Sequence, residues 1–267
     1  MNKASQQIKI GFYSRPDNEP ALYWIDKIKK KYPQLKYDSK KPDMLFVLGG
    51  DGTILEGVKK YHHISNPLIL GLNLGTVGFL ASVREPKDFV SAIEKSLKGK
   101  YKVVERMLLL VTVERKGKKI LNSEALNEAV IQNPLGMVDL EVGANGTTIK
   151  RLRGTGALVA TATGSTAYNL SAHGPIVAPD IKCMILTELM THSIPSPSII
   201  LNSNQEIKIK IKSFRKPDVI LVIDGEKPFP LRESDLITVK SSPHLVKFLE
   251  FENNYFFKSL KEKFSIK

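Results

Sequence analysis

The segment best suited to chemistry is a glycine-rich pentapeptide, Gly-Gly-Asp-Gly-Thr, at residues 49–53. It follows an apolar run, Met44 to Leu48, which predicts a buried strand. Glycines let the backbone turn sharply and approach a ligand, so that amide N–H groups can face phosphate oxygens. Asp51 in this loop can orient a hydroxyl and accept its proton, or help hold a metal ion. Because Asp-Gly pairs are also common in tight turns, the loop alone does not decide between a ligand site and a plain turn.

A second polar segment, residues 161–171, is dense in small hydroxyl side chains. Such side chains offer donors and acceptors with little bulk, as a polar ligand requires. The apolar run just before it, residues 157–160, predicts a buried approach rather than a surface loop. Residues 166–171 can open a helix whose N-terminus favours anions. This segment is therefore the second candidate for ligand binding.

Asn127 and Glu128 form the third candidate, at the start of a predicted strand. An amide beside a carboxylate can grip a sugar diol, because the carboxylate accepts two hydroxyl protons. Taken alone, such a pair is more typical of a cap or a turn.

The elements that must position these residues change in character along the chain. In the first third, strands at residues 8–13, 44–48 and 68–72 alternate with helices at 18–31 and 85–97. That alternation predicts an α/β domain with an open, mostly parallel sheet, whose ligands bind at the carboxyl ends of the strands. The strand at 68–72 leads into a second glycine-bearing turn through Gly75 and Gly78.

After residue 100 the pattern is of short β-rich runs separated by turn residues. These runs lie at residues 108–113, 128–132, 138–142, 207–211 and 219–223. They predict an all-β, sandwich-like C-terminal domain. We therefore expect an α/β domain over residues 1–100, a β-rich domain over 101–249, and a helical tail, 250–267, that packs back on the first domain.

Composition narrows the class of protein. The chain has 267 residues, of which 42% are hydrophobic and 25% charged, as in ordinary globular proteins. A single cysteine, Cys183, excludes an internal disulfide and suits a reducing cytosol, and the N-terminal residues lack the apolar segment of a signal peptide. No apolar run approaches the ~20 residues that a bilayer requires.

The net charge of +13 suits a polyanionic ligand, but no dense basic block with interleaved aromatics indicates nucleic-acid binding. We expect a cytoplasmic protein that binds neither nucleic acid nor membrane.

Taken together, and in the order in which they occur along the chain, the motifs of this sequence resemble those of the NAD kinase family. The resemblance rests on the 49–53 loop, on Gly-Leu-Asn-Leu-Gly-Thr-Val-Gly-Phe-Leu at 71–80, on Asn127-Glu128, on Thr-Gly-Ser-Thr-Ala-Tyr at 163–168 and on Asp224-Gly225. It covers residues 44–226, most of the chain. Because lipid kinases and phosphofructokinases share the first motif, the later motifs carry the assignment to NAD.

The resemblance implies phosphorylation of the adenosine ribose 2′-hydroxyl of NAD, with ATP or polyphosphate as donor and Mg²⁺ or another divalent cation as cofactor. It also implies a homo-oligomer, a dimer or tetramer. Asp51 is then the catalytic carboxylate, and no residue is assigned as a metal ligand. The residues implied for the phosphate loop are Gly49, Gly50 and Thr53, and those implied for substrate binding are Gly52, Phe79, Asn127, Glu128, Arg153, Thr155, Thr166, Ala167, Tyr168, Asn169 and Ser171.

Three positions depart from the family pattern. Thr155 replaces a common aspartate, His173 stands where glycine is common, and residues 192–197 lack an arginine expected near Ser196. The loss of the aspartate bears on the contacts of the nicotinamide half. Two alternatives therefore stay open at the level of sequence: a non-catalytic dinucleotide-binding protein, and a lipid or sugar kinase that shares only the glycine-rich motif.

Overall fold

A computed structural model of the protein describes residues 7–76, 78–192, 196–214, 219–252 and 255–264. Several positions named in the sequence predictions lie outside these ranges: Val77 in the second glycine-bearing turn, residues 193–195, and residues 253–254 and 265–267 of the tail.

In the described residues the α-helices are α1 (Glu19–Lys31), α2 (Asp51–Tyr61), α3 (Phe89–Leu97), α4 (Tyr168–Ser171) and α5 (Tyr255–Lys263). The strands are β1 (Lys9–Tyr13), β2 (Lys36–Tyr37), β3 (Met44–Leu48), β4 (Leu68–Leu72), β5 (Lys102–Arg115), β6 (Lys118–Ala125), β7 (Glu128–Gln132), β8 (Val138–Ala144), β9 (Thr147–Thr161), β10 (Cys183–Thr191), β11 (Ile199–Asn202), β12 (Glu206–Phe214), β13 (Ile220–Ile223), β14 (Phe229–Pro230) and β15 (Leu236–Glu250).

The chain divides into two compact units. The first comprises residues 1–105 and 246–267, and the second comprises residues 106–245. We call them the α/β unit and the β-rich unit. The chain passes from one unit to the other within β5 and again within β15, so each unit contains a part of both strands.

The α/β unit is built on a parallel sheet. Its strand order is β15–β4–β3–β1–β2, and every pairing in that series is parallel. The carboxyl ends of β1, β3 and β4 therefore meet at one edge, as a ligand site in an open α/β sheet requires. All five residues of β3 are buried, which explains its continuous apolar sequence.

Local signals in the sequence set the helix ends of this unit. The Asn18 side chain accepts a hydrogen bond from the Ala21 amide at 3.1 Å, so α1 begins with a capped N-terminus. Pro33 follows the end of α1, where it prevents the helix from continuing. The Pro86–Asp88 segment is a 3₁₀ turn that leads directly into α3. The core between sheet and helices includes Ile10, Phe46, Leu70 and Phe89, all fully buried.

The β-rich unit is an antiparallel assembly. Its main series runs β14–β13–β7–β9–β8–β12–β15, with β10 also paired to β9 and β11 paired to β10. The pairings within this series, and those of β10 with β9 and β11, are antiparallel. Alternation of exposed and buried residues along β12 shows one face packed on a core and one facing solvent. The predicted fold class, an α/β domain with a mostly parallel sheet followed by a β-rich domain, is confirmed.

Strand limits differ from the sequence prediction in an informative way. The boundaries of β3, β4 and β7 agree with the predicted runs. In contrast, β5 extends beyond its predicted run to 14 residues, and the 15-residue β9 was not predicted as a strand. Their charged outer ends pair with neighbouring strands but do not enter the core, so hydrophobicity alone does not reveal them. Among the described residues, no helix is long and apolar enough to cross a membrane.

Candidate functional site

The glycine-rich loop of the α/β unit joins β3 to α2. Gly49 has a φ of +152°, and a β-carbon there would crowd the Thr53 side chain, so the position requires glycine. The Gly49 amide donates to the Leu72 carbonyl at 3.0 Å, which ties the loop to the end of β4. Gly50 caps α2 with its backbone alone, and Asp51 opens the helix. The loop thus presents the N-terminus of an 11-residue helix, a favourable place for phosphate.

The carboxylate of Asp51 is held by two backbone amides. The Phe79 amide donates to Oδ2 at 2.8 Å, and the Leu80 amide donates to Oδ1 at 3.1 Å. A β-carbon on Gly78 would overlap the carboxylate, so only glycine allows this close approach. The loop 49–53 and the turn around residue 79 are far apart in sequence, and the sheet brings them together at the carboxyl ends of β3 and β4. The two amide bonds therefore fix the direction of the Asp51 carboxylate. Asp51 is half-buried, so it stays accessible to a ligand.

The segment that holds Asp51 is supported by the C-terminal helix. The Phe79 ring packs against Phe256 with ring centroids 6.0 Å apart. Arg84 donates to the Tyr255 carbonyl at 3.0 Å and to the Ser259 hydroxyl at 2.9 Å. The Arg84 guanidinium also lies over the Tyr255 ring, 4.6 Å from its centroid. These contacts anchor α5 beside the segment that fixes the Asp51 carboxylate.

Arg15 is a residue beside the loop that the sequence analysis missed. It follows β1, and a β-carbon on Gly52 would lie 3.3 Å from its Nη2 atom. Its Nε and Nη2 atoms both donate to Glu56 Oε1, at 3.1 and 2.7 Å. One signal could have indicated Arg15. Because β1 and β3 are parallel neighbours, the residues that follow these two strands lie at the same edge of the sheet.

In the β-rich unit, Asn127 and Glu128 lie on a turn that the carboxylate of the half-buried Asp224 organises. Asp224 Oδ2 accepts from the Leu126 amide at 2.7 Å, and Oδ1 accepts from the Asn127 and Glu128 amides at 2.8 and 3.0 Å. Asp224 itself has a left-handed φ of +47°, a conformation that aspartate tolerates better than most residues. The sequence analysis used Asp224 only as part of a motif and did not predict this contact.

The electrostatics of this turn differ from those of an exposed acid pair. Burial raises the pKa of Glu128 to about 8, and the neighbouring Asp224 adds to the rise. Burial also raises the pKa of Asp224 to about 6, against the lowering effect of its three backbone hydrogen bonds. Glu128 is 7% exposed, and its Oε2 atom has no hydrogen-bond partner among the described residues. At neutral pH, Glu128 is therefore protonated, and it can both donate and accept a hydrogen bond.

The polar segment 161–171 lies next to this turn. The backbone N–H of Tyr168 faces the Glu128 carboxyl, and the Tyr168 hydroxyl reaches Gln132 Oε1 at 3.5 Å. Thr166 and Ala167 are partly exposed, and Tyr168 and Ser171 are exposed, so all four are accessible to a ligand. The structure brings these predicted residues together with Glu128.

Asn169 is placed differently from its neighbours. It is fully buried, and its side-chain amide donates to the carbonyls of Ser165 and Pro175 at 3.2 and 3.0 Å. Its Oδ1 accepts from the Thr187 hydroxyl at 2.8 Å. These bonds shape the segment from within, and direct ligand binding by Asn169 stays a prediction.

Arg153 and Thr155 lie at the opposite end of β7 from Glu128. In the β7–β9 pairing Glu128 is opposite Ala160, and Gln132 is opposite Gly156. Four residue steps along a strand amount to about 13 Å. Thr155 donates to the Leu189 carbonyl at 3.1 Å, and the exposed Arg153 forms an ion pair with Asp139 at 3.7 Å. The structure thus separates these two predicted residues from Glu128, with Tyr168 and Gln132 lying between.

A glycine loop carrying a fixed carboxylate on a parallel sheet, followed by a polar turn on a β-rich unit, is typical of an enzyme that handles phosphorylated ligands. Residues 8–101 match the family model described as the ATP-NAD kinase N-terminal domain, and residues 126–251 match that of the ATP-NAD kinase C-terminal domain. The chain belongs to the NAD kinase family. Its function is that of the family, the transfer of a phosphoryl group to the adenosine ribose 2′-hydroxyl of NAD to give NADP.

Similar proteins agree with this assignment over most of the chain. The NAD kinase of Symbiobacterium thermophilum is 38% identical over 225 residues, which is 84% of this chain and 78% of that protein. The NAD kinase of Treponema denticola is 35% identical and covers 94% of this chain and 87% of its own length. Because the C-terminal domain matches as well as the glycine-rich motif, the alternative of a lipid or sugar kinase is not supported. The relatives are named as NAD kinases, which favours an enzyme over the non-catalytic alternative.

Solved structures share the fold. The crystal structure of yeast NADH kinase complexed with NADH has a TM-score of 0.87 at 23% identity, and it covers 98% of this chain and 89% of that chain. An NAD kinase from Archaeoglobus fulgidus in complex with ATP has a TM-score of 0.78 at 24% identity, covering 98% of this chain and all of that one.

Proposed function

We propose that the chain uses ATP to phosphorylate NAD and that Asp51 is the catalytic carboxylate. The observation that carries the proposal is the fixed direction of this carboxylate, at the first residue of α2 and bonded to two amides. The ATP-NAD kinase description of both matching family models supports ATP as the donor. Polyphosphate is the second donor to test.

The donor phosphates bind at the glycine-rich loop in this proposal. Gly50 and Gly52 supply backbone N–H groups, and α2 supplies the positive end of its dipole. Gly49 and Thr53 shape the loop instead, because their N–H groups donate to the Leu72 and Gly50 carbonyls. Arg15 lies beside Gly52 and adds a positive charge. When phosphate binds, the Arg15 guanidinium can contact it, either by breaking the ion pair with Glu56 or while keeping it. Positioning and neutralisation of phosphate charge account for most of the catalysis of phosphoryl transfer.

The acceptor step requires a base for one proton. The ribose 2′-oxygen forms a bond to the terminal phosphorus while its bond to hydrogen breaks, and ADP leaves with the electrons of the cleaved P–O bond. Each Asp51 oxygen accepts one N–H bond and retains a lone pair for the hydroxyl proton. A ribose hydroxyl is a weak acid, so Asp51 orients it first and takes the proton late in the step.

Recognition of NAD is assigned chiefly to residues of the β-rich unit, and Phe79 is assigned to the adenine. Asn127 and the protonated Glu128 bind the adenosine ribose. The dinucleotide is bound by the segment 166–171, including Thr166, Ala167, Tyr168 and Ser171, with Asn169 shaping it from within. Arg153 and Thr155, at the far end of β7, serve the other half of the dinucleotide.

A divalent cation fits this arrangement as a partner of the donor phosphates. Both Asp51 oxygens already accept N–H bonds, so the protein offers few free carboxylate ligands around the loop, and Mg²⁺ commonly binds mainly to substrate phosphates and water. When bound, Mg²⁺ neutralises phosphate charge. We further infer a cytoplasmic homo-oligomer from the family resemblance, and light scattering of the purified protein tests its mass.

The test is NADP formation from NAD with Mg²⁺ and either ATP or polyphosphate. We expect product with ATP, and the Asp51→Asn variant to lower kcat by about 10²–10⁴-fold while NAD binding changes little. Asp26→Asn is the matched control, because Asp26 is an exposed carboxylate on α1 that pairs only with Lys30 among the contacts described. Unchanged kcat in Asp51→Asn would remove Asp51 from the catalytic role.

A further inference from the structure

In the part of the chain that the structure describes, two residues, Asp224 and Thr161, satisfy the backbone polar groups of the turn 126–128. Asp224 accepts from the three amides of Leu126, Asn127 and Glu128, and its own N–H donates to the Glu128 carbonyl at 3.0 Å. The Thr161 hydroxyl donates to the Leu126 carbonyl at 2.6 Å, and the Thr161 N–H donates to the Asn127 carbonyl at 2.8 Å. Every backbone N–H and C=O of the turn thus has a partner.

This arrangement leaves the Asn127 side chain available. Its amide forms no hydrogen bond with any described residue, although Asn127 is only 8% exposed. A side-chain amide in such a place normally finds a partner within the protein. Here the backbone of the turn is held from outside, so neither Asn127 nor Glu128 is needed to hold it.

Thr161 also connects the turn to the polar segment. Its hydroxyl, while donating to Leu126, accepts from the Gly164 amide at 3.0 Å. Gly164 lies so close to the Asn127 backbone that a β-carbon would overlap the Asn127 carbonyl. One hydroxyl therefore fixes the distance between the turn and the start of the segment that carries Tyr168.

We propose that Asp224 and Thr161 are positioning residues, which hold Asn127 and Glu128 in the conformation that binds the ribose of NAD. The proposal rests on the proposed function of that pair. Neither residue needs to touch NAD, because each acts through the backbone of the turn. Both are then required for NAD affinity, and neither affects the binding of ATP.

Thr161→Val and Thr161→Ser form the sharper test. Valine keeps the shape of threonine and loses the hydroxyl, whereas serine keeps the hydroxyl and loses a methyl group. Valine loses the hydroxyl's bonds to both Leu126 and Gly164, so we expect Thr161→Val to raise the KM for NAD about tenfold or more, with the KM for ATP unchanged. Thr161→Ser is expected to restore most of the affinity for NAD.

Asp224→Asn tests the second anchor. Asparagine has one oxygen and one NH₂ group, so at least one amide of the turn would face a donor instead of an acceptor. We expect a larger rise in the KM for NAD, about a hundredfold, because a charge-assisted bond is lost and a buried N–H is left unpaired. Asp180→Asn, at an exposed carboxylate of the same unit, is the matched control.

The outcomes separate the inference from the function on which it rests. A wild-type protein that forms no NADP contradicts the proposed function and removes the basis of the inference. Active wild-type protein with an unchanged KM for NAD in Thr161→Val overturns the positioning role. So does an equal rise in the KM values for NAD and ATP, or a Thr161→Ser variant as impaired as Thr161→Val, since a general loss of structure would produce both. If Asp224→Asn fails to fold, the Thr161 pair decides.

Discussion

The two units hold their candidate site residues in opposite ways. In the α/β unit the proposed catalytic carboxylate, Asp51, is held by the backbone amides of Phe79 and Leu80. In the β-rich unit a carboxylate, Asp224, holds three backbone amides, and the proposed ligand-binding side chains are those of the turn. The same hydrogen bond, carboxylate to amide, thus fixes a candidate reacting group in one unit and a candidate binding turn in the other.

The difference has an electrostatic consequence. Asp51 is half-buried at the edge of the sheet, next to the positive end of a helix dipole that favours its charge. Asp224 and Glu128 are packed together inside the β-rich unit, where burial raises the pKa values of both. The proposed catalytic carboxylate thus lies beside a favourable dipole, whereas the carboxyl groups of Asp224 and Glu128 are desolvated, at a cost in stability.

The largest expected effect is the dependence of stability on pH in the β-rich unit. The pKa of Glu128 is raised from 4.5 to about 8 on folding. Between those values the folded state keeps a proton that the unfolded state releases, so stability falls as pH rises. We expect the unfolding free energy to fall by about 3 kcal/mol from pH 5 to pH 8 through this group. Denaturant titrations across that range, on wild-type protein and Glu128→Gln, measure it.

Glutamine cannot ionise, so Glu128→Gln should flatten the profile above pH 6. Below that value a smaller slope should persist from Asp224, whose pKa is raised to about 6. Glu233→Gln, at an exposed position of the same unit, should leave the profile unchanged. A wild-type profile with no decline between pH 5 and pH 8 would contradict the buried, protonated state of Glu128.

The next effect tests how the α/β unit holds its carboxylate. In Gly78→Ala the new β-carbon would overlap the Asp51 carboxylate and displace it from the Phe79 and Leu80 amides. We expect kcat to fall about a hundredfold, equivalent to ~3 kcal/mol on the barrier, with the KM for NAD changed much less. Gly75→Ala is the control, since a β-carbon there meets nothing within 4 Å. A fall in kcat of equal size in both variants would show loop flexibility, rather than the position of Asp51, to be decisive.

Glycine at 164 gives the corresponding test in the β-rich unit. Gly164→Ala would place a β-carbon against the Asn127 carbonyl and push the polar segment away from the turn. We expect the KM for NAD to rise about tenfold or more, and kcat at saturating NAD to fall less. The control is Gly136→Ala, where a β-carbon makes only ordinary contact with Asn133. If Gly164→Ala instead lowered kcat with KM intact, the division of roles between the units would be wrong.

The sequence predicted the α/β half of this comparison better than the β-rich half. The Gly-Gly-Asp-Gly-Thr loop lies within one short segment, and the buried strand before it is a clear hydrophobic run, so both the loop and its place on a parallel sheet could be predicted. The partners of Asp51 were not predictable in the same way. Phe79 and Leu80 use their backbone amides, and a backbone contact leaves no requirement on residue type.

In the β-rich unit the sequence identified the turn and the polar segment but not what holds them. Asp224 lies 96 residues from Glu128 along the chain, and the antiparallel pairing of β13 with β7 brings the two together. Thr161 was one of several hydroxyl residues, and its sequence context does not distinguish it from Thr163 or Thr166. Only the geometry shows that its hydroxyl bridges Leu126 and Gly164. Long-range strand pairing, which no local pattern encodes, separates what was predictable from what was not.

The smallest expected effect concerns the end of the polar segment, where the two units differ in their use of glycine. The glycine-rich loop of the α/β unit has glycine where the backbone demands it, at Gly49, whereas the β-rich unit has His173 at a left-handed φ of +60°. Glycine would suit this position better than histidine, since glycine adopts such a φ without steric cost. The His173 side chain is exposed, so its removal costs little packing.

We therefore expect His173→Gly to raise the unfolding free energy by up to about 1 kcal/mol. Ala172→Gly, at a φ of −86°, should lower it, and thermal unfolding of the two variants compares them directly. Destabilisation by both would mean that the imidazole ring of His173 contributes more than the strain it imposes.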